Sequence, residues 1–346
     1  MPLFQQNFVP TYLIRVYAPN SAGQTTRSYV IPPASNRDQV DLQQDIFTLP
    51  RQEAATRLNE HFRWYHSHEN RCNLTSWTSS LLFAIQYGLY KHRGNHFVKP
   101  DLSKISLLLL DTRDVPEGTF IKDLEIMETF SAYSDPKVKK NLKDLVDFRR
   151  DNRGYYFGEY LTQGDIDIEG KCVVTNMQRL IDTGLFELIP NFRDESKWTV
   201  WSNRVLQLRK PFNTPQDART TIHAEVRNAM AIAVACFGGR WVFPVATMLL
   251  ALEPRKKKDP VIVSAFAAMF SEDEIEQLQL NKIKTDDDYK LSEVKQFQSL
   301  IDDTFQRVTG GEVDRLNTKK QKADPSATSK DVANDSLIKR LGELGL

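Results

Sequence analysis

The stretch Asn73-Leu-Thr-Ser-Trp-Thr-Ser-Ser-Leu-Leu-Phe-Ala-Ile-Gln-Tyr-Gly-Leu-Tyr90 changes its periodicity in the middle. Asn73 to Thr78 is rich in strand formers and reads as a strand. From Leu82 the apolar residues Ile85, Leu89 and Tyr90 recur at helical spacing, and Ser79 or Ser80 stands where a helix cap belongs. Working outward, Pro10-Thr-Tyr-Leu-Ile-Arg-Val-Tyr-Ala-Pro19 reads as a short strand with Arg15 inside it. Ala54, Leu58, Phe62 and Tyr65 mark an amphipathic helix from Arg51 to about His66, with His61 on its flank. Ile105 to Leu110 is an apolar run expected to form a buried strand, and Val138, Leu142, Leu145 and Phe148 mark a polar-backed helix. Tyr155 to Thr162 and Lys171 to Thr175 read as strands. Asn176 to Thr183 reads as a helix closed by Gly184, and Trp198 to Leu208 as a last strand.

Strands and helices mix here without a βα repeat, so the expected class is an α+β domain over residues 8–210, not a doubly wound parallel sheet. Pro211 to Asp217 has the composition of a linker. Ala218 to Val308 reads as helix throughout, giving an all-α companion domain over 218–308. Residues 309–346 read as a flexible tail, in which Ser336 to Leu346 forms at most a short amphipathic helix.

Composition bounds what such a chain does. The 346 residues carry 46 Lys and Arg against 45 Asp and Glu, so no whole-protein field attracts polyanions and any anionic ligand needs a local site. The cysteines Cys72, Cys172 and Cys236 are odd in number and lack CxxC spacing, which argues against a disulfide framework and a thiolate zinc site and for an intracellular, cytoplasmic or nuclear, protein. No secretory signal is visible in Met1 to Pro10. Ala229 to Leu252 contains one charge, Arg240, and is long enough to cross a bilayer. Gly238, Gly239 and Pro244 favour instead a buried hairpin of two apolar helices.

Three segments place a polar group inside an apolar strand: Leu13-Ile-Arg-Val-Tyr17, Leu74-Thr-Ser-Trp-Thr-Ser-Ser80 and Tyr156-Phe-Gly-Glu-Tyr-Leu-Thr-Gln163. Burying such groups is costly unless they have partners. An Arg, a hydroxyl cluster and a Glu on neighbouring strands suit a sugar that becomes cationic while attached to a pyrophosphate.

In their order these segments resemble the three signatures of the ADP-ribosyltransferases, over about residues 10–165. Arg15 takes the first place, as in the toxin-like branch. Ser76 takes the first serine of a Ser-Thr-Ser strand, with Trp77 and Thr78 in its second and third places. Glu159 takes the catalytic place of the Asn-Glu-Tyr strand. Tyr87 follows Ser76 by eleven residues, similar to a nicotinamide-stacking tyrosine of the polymerase branch.

The resemblance implies an ADP-ribosyltransferase-like mixed sheet, NAD as substrate, and cofactor contacts from Arg15, Ser76, Trp77, Thr78, Tyr87 and Glu159. It implies Arg15 on a phosphate or the adenosine ribose and Ser76 shaping the nicotinamide pocket. Tyr87 stacks on the ring, and Glu159 accepts a hydrogen bond from the ribose 2′-OH and stabilises an oxocarbenium-like transition state. Phe157 stands where arginine-modifying members carry Glu or Gln, and Val16 where the polymerase branch carries Gly. The Ser-Trp-Thr-Ser and Phe-Gly-Gly-Arg-Trp segments are also similar to uncharacterised filamentous-fungal proteins, from which no function follows.

Each residue has a plainer use. Arg15 suits an ion pair, Ser76 and Thr78 suit the cap of the following helix, and Trp77 and Tyr87 suit the core. Glu159 suits a solvent-facing edge. His61, His66 and His68 crowd one region with Glu60 and Glu69 but lack HExxH spacing, so no metal site is expected. His223 reads as structural, and Arg255-Lys-Lys-Lys258 as a solvated turn, with acidic lipid or a nuclear signal as the sharper reading. The leading function is ADP-ribosyl transfer to an unknown protein or nucleic-acid acceptor, or hydrolysis of NAD. The alternative is a catalytically degenerate binding module, and a transferase acting on RNA 2′-phosphate lacks the Arg and His it needs. Oligomeric state is not legible in the sequence.

Overall fold

The computed structural model describes residues 8–35, 43–64, 72–93, 99–151, 154–214 and 218–310. The expected flexible tail and terminal helix, and His66 and His68, fall outside them. The chain divides into two compact units that interleave along the sequence. The first gathers the described residues through Gln178 with Glu195–Gln207 and Lys284–Leu291. The second holds Arg179–Asp194, Leu208–Ile283 and the described residues from Ser292 onward. The single boundary expected near residues 211–217 is thus replaced by several crossings.

In chain order the strands and α-helices through Asn176 are β1 (Tyr12–Tyr17), β2 (Gln24–Thr25), β3 (Tyr29–Ile31), α1 (Arg51–Phe62), β4 (Leu74–Thr78), α2 (Leu81–Arg93), β5 (Ser106–Asp111), β6 (Ile121–Lys122), α3 (Asp123–Ser131), α4 (Leu142–Arg150), β7 (Glu159–Gln163), β8 (Ile166–Asp167) and β9 (Cys172–Asn176). Among the described residues one sheet runs β6-β7-β4-β1-β5-β9 and a second runs β2-β3-β8, with every neighbouring pair antiparallel. The unit is therefore mixed α and β with antiparallel sheets, as its sequence pattern implied.

The strand-to-helix junction forms as read. The Ser80 hydroxyl accepts from the Phe83 N–H and so caps α2, while the Thr78 hydroxyl accepts from the Ser80 N–H. One face of the larger sheet is covered by helices. Ala54, Leu58 and Phe62 of α1, Ile126 and Met127 of α3, and Leu142 and Val146 of α4 bury Leu74 and Leu161. The other face packs Leu13, Trp77, Leu108, Leu110 and Tyr160 against Val30 and Ile166 of the smaller sheet. Fully burying each aliphatic chain in such a core is worth about 1.5–3 kcal/mol before chain entropy is counted.

Trp198 to Leu208 is not a strand. After a short turn it forms α7 (Ser202–Arg209), preceded by α5 (Met177–Asp182) and α6 (Leu185–Leu188). The β-forming residues stop at Trp201, and the spacing of Trp201, Val205 and Arg209 is four residues, that of one helix face.

In the second unit α8 (His223–Cys236) and α9 (Val242–Leu250) are separated by Gly238 at φ +67° and Gly239 at φ +50°. Both are left-handed conformations open to glycine, so the apolar stretch breaks where its sequence implied. Pro244 sits in the first turn of α9, where no N–H is needed. No helix among the described residues is long and apolar enough to cross a membrane. Then follow α10 (Pro260–Met269), capped by Asp259, α11 (Glu272–Gln277) and α12 (Ser292–Thr309). Arg255 does not belong to a solvated basic turn. Its guanidinium is buried and donates to Glu225 at 3.0 Å, leaving Lys256, Lys257 and Lys258 exposed.

Candidate functional site

The register decides which signature residues can meet. Thr78 on β4 stands opposite Ile14 on β1 and opposite Glu159 on β7. Opposed residues share a sheet face and successive residues alternate, so Ser76, Thr78 and Glu159 lie on one face. Arg15 and Trp77 lie on the other. Three adjacent strands carry the three signatures, but the Arg and the Glu point to opposite sides of them.

On its own face Arg15 is consumed by internal contacts. Nε donates to Thr25 Oγ1 and Nη1 to the Ser76 carbonyl, each at 3.0 Å. Burial pushes its pKa down to about 10, against the opposing pull of Tyr87 and Tyr17. The expected role on a ligand phosphate is replaced by a tie between the edge of the smaller sheet and β4. Trp77 is 2% exposed and donates its indole N–H to Thr162 Oγ1 at 3.1 Å, with Phe120 edge-on at 5.7 Å. It is a core residue and makes no open surface for a cofactor. Thr78 is buried, donating to the Phe157 carbonyl at 2.6 Å as well as serving the start of α2.

Glu159 opens β7 directly after Gly158, whose φ is +66°. A Cβ on Gly158 would stand 2.0 Å from Ser79 Oγ, so the backbone there admits glycine alone. Arg149, in the last turn of α4, donates to Glu159 Oε2 at 2.8 Å and pairs with Asp123 at the start of α3. Asp123 is fully buried, whereas the Glu159 and Arg149 side chains are 19% and 13% exposed. Arg149 also lies 4.8 Å over the Phe62 ring. The carboxylate is thus held by a cation but still reaches the surface.

Ser76 does not cap the helix. Its hydroxyl meets His61 Nε2 at 2.8 Å, and His61 Nδ1 meets Cys72 Sγ at 3.0 Å. His61, placed only on a helix flank by the sequence, is therefore part of this face. Its spacing of three residues from Leu58, along the buried side of α1, was the available signal.

Tyr87 belongs to a cluster of rings. Its centroid is 5.6 Å from Phe83, stacked, 5.5 Å from Trp64 at the end of α1, and 6.4 Å from Trp201. Phe157 closes the group at 5.2 Å from Phe83 and 5.1 Å from Trp201. Burial raises the phenol pKa of Tyr87, with Arg15 opposing and the Glu159 carboxylate reinforcing the shift. Lys91 caps its ring at 5.3 Å. Phe157, two residues before Glu159, is thus one wall of this aromatic group.

The face therefore offers a partly exposed carboxylate held by Arg149, a hydroxyl bonded to an imidazole, and half-buried flat rings. Such a set can stabilise a developing positive charge, present a hydroxyl as donor or nucleophile, and stack a planar heterocycle. Compared with known proteins, the chain matches no family model, no curated protein and no solved structure.

Proposed function

We propose that the chain has an ADP-ribosyltransferase-like fold and cleaves the nicotinamide–ribose bond of NAD, passing ADP-ribose to a macromolecule or to water. The observation that carries this reading is that Ser76 and Glu159 share one face of the adjacent strands β4 and β7, with the Tyr87 phenol within electrostatic reach of Glu159. NAD fits the residues present in two respects. The rings suit its planar bases, and Glu159 suits the ribose where positive charge develops. Arg15 is bonded internally to Thr25 and the Ser76 carbonyl and lies within electrostatic reach of Tyr87. NAD supplies an activated C1′ whose nicotinamide leaves as a neutral ring.

In this reading Tyr87 and Phe83 orient the ring and exclude water from it. Ser76 fixes its amide or the ribose hydroxyls. Glu159 accepts the 2′-OH hydrogen bond and stabilises the oxocarbenium-like charge, as carboxylates do in glycoside cleavage. The reading places the chain inside the cell, cytoplasmic or nuclear, in keeping with its free thiols Cys72, Cys172 and Cys236.

The test is nicotinamide release from NAD by the purified chain, wild type against Glu159→Gln. Wild type should release nicotinamide, and Glu159→Gln should release it about 100-fold to 1,000-fold more slowly. No release from folded wild type, with and without cell lysate as a source of acceptors, sinks the enzyme. A second reading, a catalytically degenerate binding module, is favoured by the ion pair that already occupies Glu159 and by the internal use of Arg15. Undiminished partner binding by Glu159→Gln would support it.

A further inference from the structure

Beside the carboxylate lies an arrangement of which the NAD reading uses only the Ser76 hydroxyl. His61 bridges two side chains through its two ring nitrogens, with Cys72 Sγ 3.0 Å from Nδ1 and Ser76 Oγ 2.8 Å from Nε2. The ring can carry its proton on either nitrogen, because the thiol can accept from Nδ1–H or donate to a bare Nδ1. Cys72 is 4% exposed, and burial pushes its pKa up to about 12, so it keeps its hydrogen. That hydrogen points to the Leu74 carbonyl, with S···O at 3.7 Å, while the Leu74 N–H approaches the sulfur at 3.4 Å. With the thiol hydrogen on the Leu74 carbonyl, the sulfur accepts from Nδ1–H and Nε2 is left bare to accept from the Ser76 hydroxyl, which is the tautomer the site requires. Nucleophile to base to orienting group is the logic of the serine hydrolases, and both distances lie within hydrogen-bond reach. The orienting group here is a neutral thiol, which fixes the tautomer but adds no charge to stabilise an imidazolium. Ser76 itself is partly exposed.

We propose that Ser76 is a nucleophile served by His61 as general base and aligned by Cys72, and that this site hydrolyses carboxylic esters through an acyl-serine. Ser76 Oγ bonds to the ester carbonyl carbon while His61 Nε2 takes the hydroxyl proton. The ester C–O bond then breaks and the leaving alkoxide receives that proton from His61, departing as an alcohol. Water adds to the acyl carbon with its proton passing to Nε2. The bond to Ser76 breaks, and Oγ recovers the proton as the acid leaves. The net reaction is ester plus water to acid plus alcohol, with no oxidant or metal consumed.

The test uses the full chain with an aryl acetate and, separately, a fluorophosphonate that bonds irreversibly to activated serines, followed by peptide mapping. The expected result is turnover of the acetate and a single label on Ser76. The label should be absent from Ser76→Ala, slowed about 100-fold or more in His61→Gln, and absent from wild type unfolded in urea. Cys72→Ser, whose hydroxyl can still accept from Nδ1–H, should label. The proposal is overturned by folded wild type that takes no label at Ser76, by a label that persists in Ser76→Ala, or by His61→Gln labelling at the wild-type rate. Labelling lost in urea ties reactivity to the folded site even where His61→Gln fails to fold.

Discussion

Replacing Arg149 by Met tests whether the candidate carboxylate is held by a buried network or by a surface contact. Arg149 bonds two acids: Asp123, fully buried, and Glu159, 19% exposed. Removing one partner of a buried ion pair leaves an uncompensated charge and costs about 3–5 kcal/mol. The share from partly exposed Glu159 is below about 1 kcal/mol. Met retains most of the packing over Phe62 but forfeits the ring–cation contact at 4.8 Å. A loss of about 4 kcal/mol, in a unit of roughly 200 residues, lowers its melting temperature by about 8–16 °C.

Tryptophan fluorescence reports mainly on this unit, because Trp64, Trp77, Trp198 and Trp201 of the five tryptophans belong to it. Asp123→Asn in the Arg149→Met background removes the stranded charge and should recover about 2 kcal/mol relative to additive losses. Additive losses across the cycle, or a melting shift under about 3 °C for Arg149→Met, would refute the network as described.

Two further outcomes follow from the two units. Burial alone raises the Glu225 carboxyl pKa, but hydrogen bonds from Arg219, the Ile222 N–H and Arg255 outweigh it and hold it at about 2, below 4.5. That stability is complete above pH 4.5 and is lost as pH falls toward 2. Urea midpoints of the second unit, read at Trp241, should drop by the equivalent of about 2 kcal/mol over that window after solvent screening is allowed for, and Glu225→Gln should flatten the drop. In the first unit, Gly158→Ala forces a side chain onto φ +66° and against Ser79. The expected cost is about 1–3 kcal/mol by chemical denaturation, with a matching fall in any activity that depends on Glu159.

The strand of Arg15 was legible as a short apolar run interrupted by one polar residue, and those of Ser76 and Glu159 by their aromatic and β-branched residues Trp77, Thr78, Tyr160 and Thr162. The side on which each residue emerges was not legible, because it depends on the pairing Ile14 with Thr78 and a one-residue slip reverses it. The partner of Arg15 comes from β2, two residues long and too short to announce itself by periodicity. His61 and Ser76 are fifteen residues apart, on a helix and a strand, so only the packing of α1 over the sheet joins them. Trp198 to Leu208 misled because Trp, Thr and Val at its start favour strands, while the four-residue spacing that follows decides the outcome.

Asp286, fully buried, lies in the late segment Lys284–Leu291 yet serves the first unit. It accepts from Lys122 Nζ and the Tyr160 hydroxyl at 3.0 Å each, from Tyr156 at 3.3 Å and from Ser79 at 3.4 Å, while Thr11 and Lys284 exchange hydrogen bonds beside it. A ribosome adding about 5–20 residues per second emits this segment roughly 6–20 seconds after the last strand of the sheet. Until then Lys122 has no buried counterion and the two phenols lack their acceptor, so the sheet waits, incomplete, for chain made much later. A chain stopped at residue 210 never receives it, so a stop codon well downstream of Glu159 removes the acceptor of Lys122, Tyr156 and Tyr160 from the unit that holds Glu159.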